Sequence, residues 1–226
     1  MELLDYEAID SSQLLLKHPF SMTIAGSRRT GKTYFVKTLL LLKDTFISPP
    51  IDKVFWFYAA KQEDVFSELR KTLGSSIKFI CGLPQNETIK KSYIDNQAGR
   101  SLIILDDLMD ETGKREDVKQ LFTRGRHEDI SVVLITQNYT HKGKEVREIN
   151  LNSDYTVMFK NPRDETLPRT LGTQMGNYKF LIDAYRQATR NPFSYLFLDS
   201  RSDTDDSLRY RSEIFSKNPN VYAPLV

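Results

Sequence analysis

Residues 20–33 read Phe-Ser-Met-Thr-Ile-Ala-Gly-Ser-Arg-Arg-Thr-Gly-Lys-Thr. The first six form a largely apolar run that predicts a β-strand, and the other eight follow the spacing G-x-x-x-x-G-K-T. A helix is predicted over residues 31–43, so the glycine-rich turn joins a strand to a helix. In that context the N–H groups of the turn and the positive end of the helix hold anionic phosphate groups. The segment therefore predicts a phosphate-binding loop.

This loop predicts a site for ATP and Mg²⁺. Lys32 is expected to reach the β- and γ-phosphates, and the Thr33 hydroxyl is expected to hold Mg²⁺. The residues predicted to bind the nucleotide are Gly26, Ser27, Arg28, Arg29, Thr30, Gly31, Lys32 and Thr33. The alternative is a chance glycine-rich turn, and the strand before it and the helix after it argue against that alternative.

Two carboxylates follow the most strand-like segment of the chain, residues 102–105. Ligands of open α/β sheets gather at the carboxyl edge of the strands, where Asp106 and Asp107 are expected to lie. Asp106 is predicted to coordinate Mg²⁺, and Asp107 to orient and activate the attacking water. Because Asp is shorter than the Glu that many P-loop ATPases carry in the second position, Asp107 has an alternative role as a partner of the metal ligands.

A further aliphatic strand is predicted over residues 132–135, and it ends in Thr136, Gln137 and Asn138. In additional-strand P-loop ATPases such a strand lies between the P-loop strand and the Asp-bearing strand, so its polar end faces the γ-phosphate. Gln137 or Asn138 is therefore a candidate sensor of hydrolysis. The alternative is that these amides begin a turn.

Arginines are candidates for stabilising charge that spreads over the γ-phosphate in the transition state. Arg124 and Arg126 end the helix that precedes the sensor strand, where an exposed arginine can point at the ATP of a neighbouring subunit. Arg28 and Arg29 lie inside the loop, where most P-loops carry small residues. A solvated surface charge is the alternative for each of these arginines.

Strands and helices alternate along the rest of the chain, the pattern of a parallel sheet wrapped by crossover helices. Further strands are predicted over residues 53–58, 77–81, 155–159 and 195–199, and helices over residues 63–73, 116–122 and 178–188. The last of these strands and residues 208–215 predict a C-terminal β-hairpin. The expected fold is an α/β P-loop NTPase of the additional-strand (ASCE) type, with a mostly parallel central sheet flanked by helices. We expect one ATPase domain over residues 1–216 and an extended tail over residues 217–226.

The net charge of +2 lacks the strong positive field of many DNA-binding modules. Contacts to nucleic acid must therefore come from a local patch or from a ring of subunits. The single cysteine, Cys81, excludes an internal disulfide and a multi-cysteine zinc site, and its apolar surroundings predict that it is buried.

The first seven residues are acidic where a signal peptide would be basic. The longest aliphatic run, residues 39–42, is far too short to span a bilayer. We expect an intracellular protein that makes no membrane contact.

Several short motifs occur in one order along nearly the whole chain. They are His18-Pro19-Phe20 before the P-loop, Asp106-Asp107-Leu108, residues 124–131, Thr136-Gln137-Asn138, residues 152–153 and residues 159–164. In this combination the chain resembles the genome-packaging ATPases of the poxvirus-like large DNA viruses, virophages, adintoviruses and Polinton/Maverick elements. Those proteins are a branch of the FtsK/HerA superfamily.

The resemblance implies a homo-oligomeric ring, a pentamer or a hexamer, that translocates double-stranded DNA as ATP is hydrolysed. It implies docking on viral capsid vertex proteins, in the virus factory or nucleus of an infected host cell, with possible association with the virion. The place of Arg126 in its motif makes it the first candidate for an arginine acting in trans, with Arg124 second. The loop is also similar to those of phage terminase motors, in which an arginine at the Arg28 position acts in cis.

Rival functions remain open at this point. A cellular-type DNA translocase or helicase uses the same ATPase chemistry, although the aromatic residues here fall mostly in apolar runs rather than in stacking platforms for single strands. A nucleotide kinase is of similar size but does not need a carboxylate pair followed by a separate polar-ended strand. A non-enzymatic binding module does not need a complete P-loop with both carboxylates.

Overall fold

The computed structural model describes residues 2–3, 11–82, 99–108, 122, 125–137 and 153–224. Its helices are α1 (Lys32–Leu41), α2 (Lys43–Phe46), α3 (Glu63–Leu73), α4 (Thr166–Gln174) and α5 (Tyr178–Ala188). Its first six strands are β1 (Glu2–Leu3), β2 (Leu16–Lys17), β3 (Ser21–Ala25), β4 (Ile47–Ser48), β5 (Lys53–Tyr58) and β6 (Ile77–Cys81). The other six are β7 (Ser101–Asp106), β8 (Ile130–Thr136), β9 (Tyr155–Phe159), β10 (Tyr195–Asp199), β11 (Tyr210–Ser212) and β12 (Asn220–Ala223).

Within the described residues, ten strands form one sheet in the order β1-β12-β11-β10-β9-β3-β8-β7-β5-β6. The six strands from β9 to β6 in that order are parallel, and the remaining four are antiparallel. The P-loop strand β3 is separated from the Asp-bearing strand β7 by β8. This order confirms the expected additional-strand arrangement and the mostly parallel sheet.

The central strands are buried at every position, as a parallel sheet covered on both faces requires. All residues of β3, β7, β8 and β9 are buried. Aliphatic and aromatic side chains of α1 and α3 pack on one face of the sheet, and those of α4 and α5 pack beside β10. The continuous apolar runs of the sequence therefore correspond to the central strands.

Most of the predicted elements are confirmed, and the predicted burial of Cys81 is wrong. The predicted hairpin is present as β10 and β11, which pair antiparallel. The expected extended tail over residues 217–226 contains β12, which pairs with β11 and β1 and so belongs to the sheet. Cys81 is exposed rather than buried, because it ends β6, the edge strand of the sheet. The predicted helix over residues 116–122 lies outside the described residues except for buried Phe122.

A buried ion network joins β10 to β11. The fully buried Asp199 carboxylate accepts hydrogen bonds from Arg201 Nη2 at 2.8 Å and from Arg211 Nη2 at 3.3 Å. Arg211 also reaches back to donate to the Leu14 carbonyl at 3.3 Å. Asp199 therefore pairs with two guanidinium groups, and Arg201 Nη1 also lies 3.9 Å from the exposed Asp203 carboxylate. Arg211 ties the start of the chain to the C-terminal hairpin. None of the described helices combines the length and apolarity needed to cross a bilayer.

We expect Asp199→Asn to lower the free energy of unfolding by about 3–5 kcal/mol, because the buried guanidinium groups lose their charged partner. Urea unfolding followed by circular dichroism measures this change. The matched control is Glu63→Gln, which breaks an exposed pair with Lys61 and is expected to cost far less. Equal losses in the two variants would contradict a structural role for the buried network.

Candidate active site

A cavity of about 610 Å³ opens at the carboxyl edge of β3, β7 and β8. Its lining combines the phosphate-binding loop with the ends of the other two strands and is made of Arg28, Arg29, Thr30, Gly31, Lys32, Thr33, Tyr34, Ala60, Gln62, Asp106, Asp107, Ile135, Gln137 and Phe193. This volume lies in the range of small-molecule sites. The structure thus brings the described residues of the three predicted motifs to one place.

The loop needs glycine at two positions for different reasons. A Cβ on Gly26 would lie 2.6 Å from Phe159 Cβ, so the loop can pass β9 at this distance only without a side chain. Gly31 has a φ of 104°, a left-handed conformation at the start of α1 that favours glycine. The glycine spacing of the sequence therefore follows from the path of the loop between β9 and α1.

Lys32 is buried at the base of the loop. Its Nζ donates to the carbonyls of Gly26 and Ser27, each at 2.7 Å. Burial lowers the pKa of Lys32 to about 8, against the raising effect of the Asp107 and Asp106 carboxylates. The ammonium group is thus held by two carbonyl dipoles, and an anionic phosphate would place an opposite charge beside it.

The side chains of Thr33 and Asp106 both accept hydrogen bonds from the Gln62 amide. Gln62 Nε2 donates to Thr33 Oγ1 at 3.1 Å and to Asp106 Oδ2 at 3.4 Å. Mg²⁺ takes one or two protein oxygens and completes its shell with water and phosphate oxygens, so this pair fits a magnesium ion. Within the described part of the chain, no three His, Cys, Asp or Glu side chains form a group that holds a metal.

Asp106 is itself buried, and burial disfavours its charge relative to that of an exposed Asp. Burial raises the pKa of Asp106 to about 6, while the hydrogen bond from Trp56 Nε1 at 3.2 Å lowers it. The neighbouring Asp107 raises the pKa further, and Lys32 lowers it. A cation bound beside this carboxylate would offset the desolvation of its charge.

The side chains of Arg28, Gln137 and Asp107 form a connected chain across the mouth of the cavity. Arg28 Nε donates to Gln137 Oε1 at 2.8 Å, and Gln137 Nε2 donates to Asp107 Oδ2 at 2.5 Å. Asp107 has a φ of 57°, a conformation that Asp tolerates better than most residues, and its N–H donates to the Ile135 carbonyl. Three residues predicted separately from three motifs therefore contact each other.

The remaining loop residues shape the turn. Ser27 Oγ donates to the Lys160 carbonyl at 3.1 Å, and Thr30 Oγ1 donates to the Ser27 carbonyl at 2.9 Å. Arg29 is exposed and has a φ of 60°. These contacts hold the loop conformation against the end of β9.

Arg126 lies at the opposite edge of the sheet from the cavity. Its backbone belongs to the short 3₁₀ helix Gly125–Glu128, which precedes the start of β8, whereas the cavity follows the end of β8. Seven strand residues span roughly 23 Å, so the backbone of Arg126 lies about that far from the carboxyl end of β8. The structure therefore separates Arg126 from the cavity of its own chain. The predicted Arg124 and Asn138 lie outside the described residues.

Sequence reasoning missed four residues of this site. Gln62 follows the carboxyl end of β5, and Trp56 lies within the apolar run of that strand. Tyr34 and Phe193 line the cavity as exposed aromatic side chains. The position of Gln62 at the carboxyl edge was the only local signal, because polar residues there face the ligands of α/β sheets.

Comparisons with known proteins identify one family and similar proteins from two viruses. The model of the family described as Poxvirus A32 protein matches residues 9–153. DNA packaging protein OPG160 of vaccinia virus (strain Copenhagen) is 28% identical over 145 residues, covering 58% of this chain and 50% of that protein. The monkeypox virus protein of the same name is 28% identical over 145 residues, with 58% and 45% covered. The chain thus spans about half the length of the curated relatives it matches.

Solved structures extend the similarity to the whole fold. The genome packaging NTPase B204 from Sulfolobus turreted icosahedral virus 2, in complex with ATP-gammaS, has a TM-score of 0.57 and 12% identity. Its match covers 92% of this chain and 98% of that chain. The same protein in complex with sulfate has a TM-score of 0.56 and 13% identity. At these identities the likeness establishes the fold.

We expect Trp56→Phe to raise the pKa of Asp106 further, by about one pKa unit, because the carboxylate loses a hydrogen bond from a buried donor. A carbon-13 NMR titration of the Asp carboxyl groups measures this pKa. Gln62→Leu is the control, since its longer and less buried contact is expected to move the pKa less. A larger effect of Gln62→Leu than of Trp56→Phe would contradict this ranking.

Proposed function

Because this chain belongs to the Poxvirus A32 protein family, we propose that it is an ATP-driven motor that moves double-stranded viral DNA into a preformed capsid. The observation that carries the proposal is the convergence of Lys32, Thr33, Asp106, Asp107 and Gln137 on one cavity. An ATPase needs in one place a phosphate-binding cation, two oxygen ligands for a metal and a water-activating group.

We infer that this cavity hydrolyses MgATP. The loop backbone and Lys32 bind the phosphates, and Thr33 with Asp106 holds Mg²⁺. Mg²⁺ bound there supplies charge neutralisation at the phosphate oxygens and polarises the γ-phosphoryl group. Asp107 activates the attacking water, while the hydrogen bond from Gln137 orients its carboxylate.

The link between Arg28 and Gln137 supports two further roles. Arg28 lies at the cavity mouth as a cation on the same chain, which suits stabilisation of transition-state charge in cis. Gln137 contacts both Arg28 and Asp107, so loss of the γ-phosphate would alter a connected set of side chains. We propose that Gln137 is the sensor of hydrolysis on this ground.

The position of Arg126 supports a ring. The backbone of this residue lies at the other end of β8 from the cavity of its own chain, so a catalytic role for it suits a neighbouring subunit. A net charge of +2 gives one subunit little affinity for DNA, and several subunits around a duplex add their contacts to the phosphates. We propose a homo-oligomeric ring, docked on capsid vertex proteins in the infected cell, with Arg126 acting in trans.

The rival functions are separated by simple observations. A helicase would unwind a duplex in a strand-displacement assay, whereas a packaging motor would move along it intact. A nucleotide kinase would transfer phosphate only to a nucleotide acceptor, whereas the proposed enzyme releases phosphate into water. The connected Arg28, Gln137 and Asp107 side chains support hydrolysis, because they bring a cation, an amide and a carboxylate together at the mouth of the cavity.

We expect ATP affinity to fall about tenfold per pH unit above about pH 8, because Lys32, whose pKa is about 8, loses its proton in the free protein. Below that pH Lys32 is already charged, so its contribution to affinity is constant. Isothermal titration calorimetry between about pH 7 and about pH 9 measures the effect, since the terminal phosphate is already ionised there. Lys32→Met is the control and is expected to bind weakly with no such fall. A constant affinity of the wild type across this range would contradict the role of Lys32.

We expect steady-state ATP hydrolysis to rise with protein concentration and with duplex DNA, because the ring completes the site. Lys32→Ala is expected to reduce turnover by roughly 10²-fold or more, since it removes a preorganised phosphate-binding cation. Arg126→Ala is expected to reduce it roughly 10³-fold, the magnitude associated with an arginine supplied in trans. Phosphate release at several protein concentrations, with and without duplex, measures all three effects.

Arg169→Ala is the matched control, because Arg169 is an exposed arginine on α4 that does not line the cavity. Its activity is expected to equal that of the wild type. Hydrolysis that is independent of concentration and DNA and is unchanged by Arg126→Ala would exclude the ring mechanism and favour the kinase alternative.

A further inference from the structure

Two aromatic side chains beside the phosphate-binding loop are more exposed than any other large hydrophobic residue described. Phe193 is 70% exposed and Tyr34 is 63% exposed. Both line the cavity of the P-loop, and both also line a second cavity of about 470 Å³. Aromatic residues of this size are normally buried, so two exposed together at one site point to a ligand.

The second cavity is apolar and adjoins the first. Gly31, Tyr34 and Phe193 belong to both linings. The floor is an aromatic cluster formed by Phe35, Phe159, Tyr195 and Phe215. The Phe35 ring centroid lies 4.9 Å from that of Tyr195 and 5.0 Å from that of Phe215, so the floor is held by edge-to-face and tilted ring contacts.

The backbone at Phe193 is strained, and its exposed aromatic ring gains little packing in return. Residues 191–194 form a turn in which the Ser194 N–H donates to the Asn191 carbonyl, and Phe193 has a φ of 64°. Pro192 occupies the second position of this turn, and a third position with positive φ is ordinarily glycine. An exposed phenylalanine in that conformation carries both strain and apolar exposure, and such combinations cluster at ligand clamps.

Each ring also lies directly beside the phosphate-binding loop. A Cβ on Gly31 would lie 3.6 Å from Phe193 Cβ and Cδ1, so Phe193 packs against the loop backbone. Tyr34 follows Thr33 directly in the first turn of α1, and Lys37 Nζ lies 4.4 Å from its ring centroid in a cation–π contact. A nucleotide whose phosphates bind the loop can therefore place its base beside these rings.

We propose that Phe193 and Tyr34 bind the nucleobase of the nucleoside triphosphate, over the floor formed by Phe35, Phe159, Tyr195 and Phe215. The base stacks on an aromatic side chain, an interaction available to any flat heteroaromatic ring. This inference rests on the proposed function, in which the loop binds the phosphates of ATP. It assigns recognition of the base to apolar stacking, separate from recognition of the phosphates.

The test compares ATP with inorganic tripolyphosphate, which lacks a base, in Phe193→Gly. Glycine removes the ring and also suits a positive φ, so the turn is retained. ATP affinity is expected to fall about tenfold, the effect of losing one base–aromatic stack, while tripolyphosphate affinity stays at the wild-type value. Calorimetric titration of both ligands measures the two affinities, and the midpoint of thermal unfolding checks that the fold is intact.

Two further variants separate this inference from the proposed function. Tyr178→Ala removes another exposed aromatic residue, which lies outside both cavities, and is expected to bind both ligands normally. Lys32→Ala is expected to weaken both ligands, and wild-type binding of both by Lys32→Ala would refute the phosphate site itself. With Lys32→Ala behaving as expected, an unchanged ATP affinity in Phe193→Gly, or an equal loss for both ligands, would overturn the nucleobase assignment.

Discussion

The parallel pairing of β8 between β3 and β7 is the constraint on which the site depends. In this register Ala25 lies opposite Thr136, and Asp106 lies opposite Ile135. The residues that follow these positions are Gly26, Gln137 and Asp107, so the pairing brings the P-loop, the Gln137 amide and the second carboxylate to one edge. A slip of one residue in β8 would turn its side chains to the other face and disperse the site.

Burial at that edge sets the electrostatics. The same desolvation raises the pKa of Asp106 to about 6 and lowers that of Lys32 to about 8, so the protein disfavours both charges that the proposed chemistry requires. Trp56 and Gln62 partly compensate Asp106, and the carbonyls of the loop partly compensate Lys32. A metal ion and a polyphosphate supply the missing opposite charges. Perturbed ionisation of this kind in a cavity is typical of functional sites.

Strand β8 also connects two separate parts of the proposed machinery, which are the cavity and the segment that carries Arg126. β8 ends at Gln137 inside the cavity and begins after the short helix that carries Arg126. All seven of its residues are buried, so the strand is a rigid connection between these two ends. In a ring, this arrangement would join the cavity of one subunit to a segment that faces another. The aromatic rings of Tyr34 and Phe193, by contrast, belong to the cavity of their own chain.

The sequence alone determined the features that depend on local pattern. Continuous apolar runs predicted the buried strands, and the bounds of β5, β6, β9, β10, α3 and α5 agree with the structure. Of the eight residues predicted from the loop spacing, the six from Arg28 to Thr33 line the cavity. Only the tertiary structure decided that β12 joins the sheet, that Cys81 is exposed, that Trp56 and Gln62 contact Asp106, and that Arg126 lies far from its own cavity. Those features depend on strand register and on side chains that meet across the sheet, and hydrophobic periodicity carries no information about either.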